Sequence, residues 1–344
     1  MSDVSPREVG DRAVAADMPA VVADRYGPPG CVGVKVVRRP VIGDTDVLVR
    51  VHAASICRGD IHLLEGRPYL IRVAGFGLRR PKHRIPGQCL SGEVVATGKD
   101  VRDLRPRDQV YGEIPFGAFA EYASGSAHLL APKPANLTHE EAAAVPCSAL
   151  TALQGLRDVG GLQPGQSVLI NGASGGVGTY AVQIAKYMGG NVTAVCRKRH
   201  SALMRELGAD RVIDYTKDDF ARSAGLHDIL LDLVGNRSLH DCRGILKPHG
   251  ILIAAAPRGD WIGPVTWMLK LAVANAAHRQ RHKLFVARPN REDLIALKDM
   301  IEGDAMRPVV ERRYPLREAA AALAHVAAGH AQGTTVIQMG NPRA

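Results

Sequence analysis

The string Val168-Leu169-Ile170-Asn171-Gly172-Ala173-Ser174-Gly175-Gly176-Val177-Gly178 constrains this chain more than any other. An apolar strand turns through small residues into a helical stretch ending near Met188, and a second apolar run follows at 191–196. Strand, turn, helix and strand in that order make a βαβ unit with a parallel pairing. Ala173, Gly175 and Gly178 stand at the spacing of a dinucleotide fingerprint. In that reading the first position makes the tight turn, the second lets the backbone approach a pyrophosphate, and the third lets helix and strand pack closely. Ser174, Gly176 and Val177 complete the loop, and the pyrophosphate would rest on free N–H groups at the positive end of the helix dipole.

The end of the second strand decides which dinucleotide fits. An NAD site places an acid there to bond the ribose hydroxyls, whereas this chain has Cys196 followed by Arg197, Lys198 and Arg199. Three cations suit a 2′-phosphate through charge-assisted hydrogen bonds and have no such partner in NAD. NADP(H) is therefore the expected cofactor.

Around this unit the chain divides in two. Residues 1–17 have no hydrophobic period and read as a flexible tail. From there to about 145, short apolar runs at 20–24, 32–37, 46–52, 90–97, 109–111, 118–123 and 128–131 alternate with Gly, Pro and Asp, the pattern of a small antiparallel β domain. Thr138 with Glu141 caps a helix, a second helix runs from Ser148 to about Asp158, and strands then alternate with helices to about 255. Residues 261–286, apolar then basic, read as an amphipathic helix, and the last stretch offers a helix at 291–303, a strand at 309–311, a helix at 316–328 and a strand at 334–339. The expected class is α/β, a Rossmann doubly wound parallel sheet beside a β-rich domain.

Composition narrows the partners. A net charge of +10 raises the question of an anionic partner. With 4% aromatic residues there is no stacking platform for nucleic acid. No apolar stretch reaches the roughly 20 residues of a membrane span, the N-terminus reads as neither signal nor transit peptide, and membrane association is not expected. Six scattered cysteines, Cys31, Cys57, Cys89, Cys147, Cys196 and Cys242, contain no CxxC pair and read as reduced thiols of a cytoplasmic protein.

Taken together, Val21-Val22-Ala23-Asp24-Arg25-Tyr26-Gly27-Pro28-Pro29, Gly117-Ala118-Phe119-Ala120-Glu121-Tyr122, Leu150-Thr151-Ala152-Leu153, the loop 173–178, Leu207-Gly208-Ala209-Asp210-Arg211-Val212-Ile213-Asp214-Tyr215 and Gly329-His330-Ala331-Gln332-Gly333 resemble a medium-chain dehydrogenase/reductase of the zinc-independent quinone oxidoreductase-like branch. The resemblance implies a GroES-like catalytic domain from both chain ends (18–148 and 289–344), a Rossmann domain at 149–288, an active site between them and a homodimer. It also implies that Tyr215 and Lys198 lie near the 2′-phosphate and Thr151 near the nicotinamide.

Zinc-containing members hold their metal with a cysteine, a histidine inside a Gly-His-Glu string, and a second cysteine. Cys57-Arg58-Gly59-Asp60-Ile61-His62 matches the first motif and Cys147 the last, but the middle string reads Gly87-Gln88-Cys89. Glutamine is a poor zinc ligand beside imidazole or thiolate. The expectation is metal-free hydride transfer from NADPH to the electrophilic carbon of a quinone, enone or carbonyl, with Arg58, Asp60 and His62 as candidate acid–base groups and Tyr69 as an outsider. The alternatives are a zinc alcohol dehydrogenase using Cys57, Cys89 and Cys147, and a non-catalytic NADPH sensor. Between the Cys57 motif and Gly87, the stretch 69–84 carries five cations and reads as a lid or a solvated loop.

Overall fold

The computed structural model describes residues 17–255, 263–329 and 332–340. The tail expected at 1–17 lies outside these except for Asp17, which opens β1 (Asp17–Ala23). β1 pairs antiparallel with β2 (Val32–Arg38). The next strands are β3 (Asp46–Ile56), β4 (Cys89–Thr97), β5 (Gln109–Glu113), β6 (Tyr122–Ser126) and β7 (Leu130–Pro132). In β3 the period of two puts Val47, Val49 and Val51 inward, as a half-buried strand requires. Its last residues, Ala53 to Ile56, are buried on both faces, because helix α2 (His139–Ala143) lies against the strand.

The parallel sheet contains β8 (Ser167–Asn171), β9 (Asn191–Cys196), β10 (Arg211–Asp214), β11 (His227–Asp232), β12 (Leu246–Ala254) and β13 (Arg281–Leu284), in the order β10-β9-β8-β11-β12-β13. Covered on both faces, its central strands are continuous apolar runs such as Val168, Leu169, Ile170 and Ile251, Leu252, Ile253. The order reverses between β8 and β11, so the crevice that binds ligands in such sheets opens at their carboxyl ends. The chain then returns to the first sheet through β14 (Val310–Pro315) and β15 (Thr334–Gln338), giving the order β14-β15-β3-β4-β5-β7 with β6 also on β3. Just before β15, the Gly333 N–H donates to Ser174 O at 2.9 Å, which ties this sheet to the glycine loop of the other.

Three elements depart from the sequence pattern. The strand expected at 118–123 starts at Tyr122, because the Ala118 and Phe119 N–H groups are committed to Gly87 O and Pro86 O in a loop crossing. The amphipathic helix expected at 261–286 is a helix at Gly263–Ala277 followed by edge strand β13, whose Arg281 and Lys283 suit a sheet edge. Helix α1 (Arg58–Glu65) was not apparent in the sequence: its N-cap is Cys57, and the Asp60 carboxylate accepts from the Cys57 N–H at 2.8 Å.

Helix α2 holds the junction that leads to the next helix, α3 (Pro146–Gln154). The His139 ring, at its start, stacks on His52 with centroids 4.4 Å apart, and its Nδ1 lies 2.8 Å from Ser91 Oγ. Since the Ser91 hydroxyl donates to Val110 O, His139 Nδ1 must carry the proton it gives to Ser91. Burial, then His52 and Lys133, lower His139 to about 4, and burial lowers His52 as well. A histidine depressed on folding leaves the unfolded chain binding more protons, so its stabilising effect is complete above pH 6.5 and is lost as pH falls toward 4. Urea midpoints at pH 7.5 and pH 5 should show a loss in the wild type that is smaller in His139→Gln.

Candidate active site

The glycine loop sits at the switch point. Gly172 carries the positive φ of the turn (+89°), so the tight-turn role expected at Ala173 falls one residue earlier, where no Cβ obstructs the left-handed backbone. Gly178, inside helix α4 (Gly176–Tyr187), presses on that turn: a Cβ there would come within 2.3 Å of Gly172 O and 2.5 Å of Ala173 O. At Gly175, the N-cap of α4, a Cβ would meet only Gly172 O at 3.5 Å. That glycine is free on the protein side, and its open face is where backbone can approach a ligand. Ser174 is held through its carbonyl by Gly333, and Gly176 and Val177 begin the helix with their N–H groups uncommitted to the turn before them.

At the end of β9, Cys196 is buried and pairs with Asp214 of β10. Burial, with Asp214 beside it, pushes its thiol up to about 11, so it is a neutral packing group. Beyond it Arg197 Nε donates to the Tyr215 hydroxyl at 2.7 Å, while Lys198 and Arg199 are exposed. The structure thus brings Arg197, Lys198 and Tyr215 to one edge of the crevice. At the switch point, Asn171 donates through Nδ2 to Asp232 Oδ1 at 2.9 Å, and the Gly235 N–H donates to the same oxygen at 2.9 Å, which fixes the rim of the crevice.

Helix α3, whose Ser148 Oγ would stand 3.0 Å from a Cβ at Gly176, also carries one member of a cluster of thiols and acids. Cys57 precedes α1, Cys89 opens β4, and Cys147 lies in the first turn of α3, one turn before Thr151, whose hydroxyl donates to Cys147 O at 2.7 Å. Glu113, missed in the sequence, is the cross-strand partner of Cys89 on β5, and its only signal was a lone acid closing an apolar strand. One donor atom each from Cys89, Glu113 and Cys147 lies within 4.8 Å of the other two. Burial, then Asp60, raises Glu113 to about 7, and burial raises Asp60 to about 6 against the Cys57 N–H. The Cys57 thiol is pushed up by its hydrogen bond with Cys147 and by burial. Contact with Cys147 lowers the Cys89 thiol, but burial and Glu113 outweigh it and leave it at about 12.

This arrangement does not fit the cysteine–histidine–cysteine pattern of zinc-containing relatives. Gln88 Oε1, an amide oxygen 3.7 Å from Cys57 Sγ, occupies the histidine's place. Cys89, Glu113 and Cys147 bring one donor atom each within 4.8 Å of the others, and the Cys57 thiol hydrogen-bonds with that of Cys147.

The three expected acid–base groups separate. The Arg58 guanidinium reaches Ala327 O at 3.2 Å and Val326 O at 3.4 Å, at the end of the helix Ala319–Ala327. Asp60 is 1% exposed, and its Oδ1 has no hydrogen-bond partner. It lines a cavity of about 30 Å³ together with Tyr26, Leu63, Phe76, His83 and Phe116. His62 is half-buried on α1. The stretch expected as a lid is fastened down: Arg72 donates to Gly66 O and Glu65 O at the end of α1 and stacks over the Tyr26 and Tyr69 rings, and His83 stacks on Phe116 at 4.2 Å.

Comparison with known proteins gives the same architecture a lineage. The alcohol dehydrogenase GroES-like domain family matches residues 43–135, and the zinc-binding dehydrogenase family matches 207–337. The chain is 33% identical to the mouse (Mus musculus) mitochondrial NAD(P)H oxidoreductase RTN4IP1, over 94% of this chain and 89% of that one. It is 31% identical to the chloroplastic quinone-oxidoreductase QR1 of Triphysaria versicolor, over 93% and 98%. The solved quinone oxidoreductase of Coxiella burnetii superposes with a TM-score of 0.84 at 28% identity, over 94% and 100%.

The glycine contacts separate folding from ligand approach. Gly178→Ala should lower stability by about 1–3 kcal/mol through overpacking, whereas Gly175→Ala should keep a wild-type urea midpoint.

Proposed function

Because the chain belongs to the quinone oxidoreductase-like branch of the medium-chain dehydrogenase/reductase superfamily, we propose that it is an NADPH-dependent reductase of quinones, enones and related carbonyl compounds. The observation that carries this reading is the glycine loop at the β8/β11 switch point with Arg197, Lys198 and Tyr215 at the end of the neighbouring strand. The N–H groups opening α4 receive the pyrophosphate, and Gly175, lacking a Cβ, lets it approach. Arg197 and Lys198 meet the 2′-phosphate, with the Tyr215 hydroxyl orienting Arg197. Cys196 offers a ribose no carboxylate.

Bound NADPH supplies the hydride. Thr151, on the helix that also carries Cys147, stands for the nicotinamide side of the cleft, and the floor around Glu113 and Asp60 holds protons near neutral pH. Of the acid–base candidates, geometry ranks Asp60 first, because it lines a cavity and its buried Oδ1 has no hydrogen-bond partner. Arg58 is committed to carbonyls and serves to position α1, and His62 remains a candidate on the same helix. The reduction runs on a hydride and a proton, with no step assigned to a metal.

The free state of all six cysteines supports a reducing compartment, the cytoplasm in this reading. Among the described residues no helix is long and apolar enough to cross a membrane. Edge strand β13, with Met268, Leu269 and Val273 exposed on the helix before it, offers the face for a homodimer.

Turnover tests the reading directly. NADPH should be consumed with an ortho-quinone or a simple enone, and a chain that binds NADPH without oxidising it with either would instead be a sensor. Removing both cations (Arg197→Ala with Lys198→Ala) should raise KM for NADPH by about 10-fold or more, the scale of charged hydrogen bonds, and leave KM for NADH unchanged. An equal effect on both cofactors would refute the 2′-phosphate assignment.

A further inference from the structure

We propose that the segment 70–82 is a docking surface for a phospholipid bilayer with anionic headgroups. Residues 70–73 make a helical turn, which sets Leu70 and Val73 side by side on the helix surface. They are 52% and 66% exposed, and Leu78, further along the same segment, is 68% exposed. Single exposed aliphatic residues are ordinary, but three in so short a segment make a patch. Arg79, Arg80 and Lys82 follow, all exposed and none in an ion pair with any described residue. Arg84 differs, because Asp24, which also holds Lys35, neutralises it. Leu78 lines one surface recess together with Arg79, Arg80 and Lys82, so apolar and cationic groups share a face.

The segment is anchored from beneath. Arg72 donates to Gly66 O at 3.0 Å and Glu65 O at 3.1 Å, and its guanidinium lies over the Tyr26 and Tyr69 rings. The Lys82 N–H donates to Phe76 O at 2.9 Å, and the Tyr26 hydroxyl lies 2.7 Å from Gly77 O. Gly77 has φ +108°, and a Cβ there would come within 2.2 Å of Arg80 O, so the tip carrying Leu78 and Arg79 is a closed turn. The rings of the segment are engaged within the protein, Tyr69 under Arg72 and Phe76 against Phe116 at 5.8 Å. What remains exposed is aliphatic and cationic, and that decides the occupant. A protein interface centres on aromatic anchors, and a single-stranded nucleic acid needs stacking rings among the cations. Aliphatic side chains that enter the acyl boundary, beside cations that meet headgroup phosphates, suit an anionic membrane surface. Among the described residues no helix is long and apolar enough to cross a membrane, and a surface that lies on the headgroups needs none. Phe76, Pro81 and His83 also wall the cavity beside Asp60, so the docked face adjoins it. The docking rests on this surface and not on the reductase reading.

The test is co-sedimentation of the full chain with sucrose-loaded vesicles, either phosphatidylcholine alone or phosphatidylcholine with about one-third phosphatidylglycerol. Binding should be strong to the anionic vesicles and weak to the neutral ones. Arg79→Ala with Arg80→Ala and Lys82→Ala should weaken it on the order of 100-fold, about 5-fold for each cation at the surface. Leu70→Ser with Val73→Ser and Leu78→Ser should weaken it by about 10-fold or more. Lys99→Ala with Arg102→Ala and Arg105→Ala removes the same charge beyond the end of β4 away from Cys89, and should change binding by less than about 3-fold. Circular dichroism checks that each variant folds. No binding to anionic vesicles, or undiminished binding by the Arg79, Arg80 and Lys82 variant, would overturn the surface. Undiminished binding by the aliphatic variant would also overturn it, since charge alone then accounts for the attraction and a soluble anion would serve as well. So would a lipid-free oligomer, seen by light scattering, that the aliphatic variant dissolves, because the face would then belong to a second copy. NADPH oxidation with a water-soluble quinone, measured without vesicles, should be the same in every variant and reports on the reductase reading alone.

Discussion

The contact on which the rest of this molecule depends is backbone against backbone, where α4 bears on the turn after β8. Gly178 has no side chain because Gly172 O and Ala173 O occupy the place of its Cβ. That approach aims the first N–H groups of α4 into the crevice and keeps the helix close to the sheet that supports it. The hydrogen bond from Gly333 to Ser174 then carries the constraint to the other sheet. Through β15 it reaches β3, and β3 leads directly into Cys57 and α1. The glycine loop and the thiol cluster are therefore positioned by one continuous framework.

Around Cys57 and Cys89, burial sets the chemistry. Glu113 and Asp60 are pushed up to about 7 and about 6 by loss of water, and Glu113 further by its neighbour. A carboxyl raised on folding binds more protons in the native state, so its stabilising contribution declines as pH climbs from the unfolded value of 4.5 toward 7 at Glu113. The stacked histidines at the α2 junction act in the other direction. The floor of the cleft and its support thus draw stability from opposite ends of the pH scale.

Much of this was legible in the sequence where one local rule governs. The parallel strands announce themselves because burial on both faces leaves only apolar runs, and the glycine loop because a close approach leaves only small residues. The cations after Cys196 are visible because three in a row stand out at the end of an apolar strand. The turn slipped by one residue, from Ala173 to Gly172, because the fingerprint fixes spacing and not which peptide takes the positive φ. Edge strand β13 was hidden by its charges, and α1 by a cysteine standing in the cap position usually held by serine or threonine.

Glu113 was hidden for a deeper reason. Its meaning comes from Cys89 across the ladder and from Cys147, 34 residues further along the chain, and no periodicity records such a meeting. A motif reading compares each position with a family's residue and finds Gln88 where a histidine is expected. The fold compares atoms instead, and brings the next residue, Cys89, against an acid that the motif does not contain. Cross-strand pairing explains the meeting: residues directly opposite on an antiparallel pair stand side by side on one face, so Cys89 and Glu113 come together across the ladder however far apart the sequence sets them.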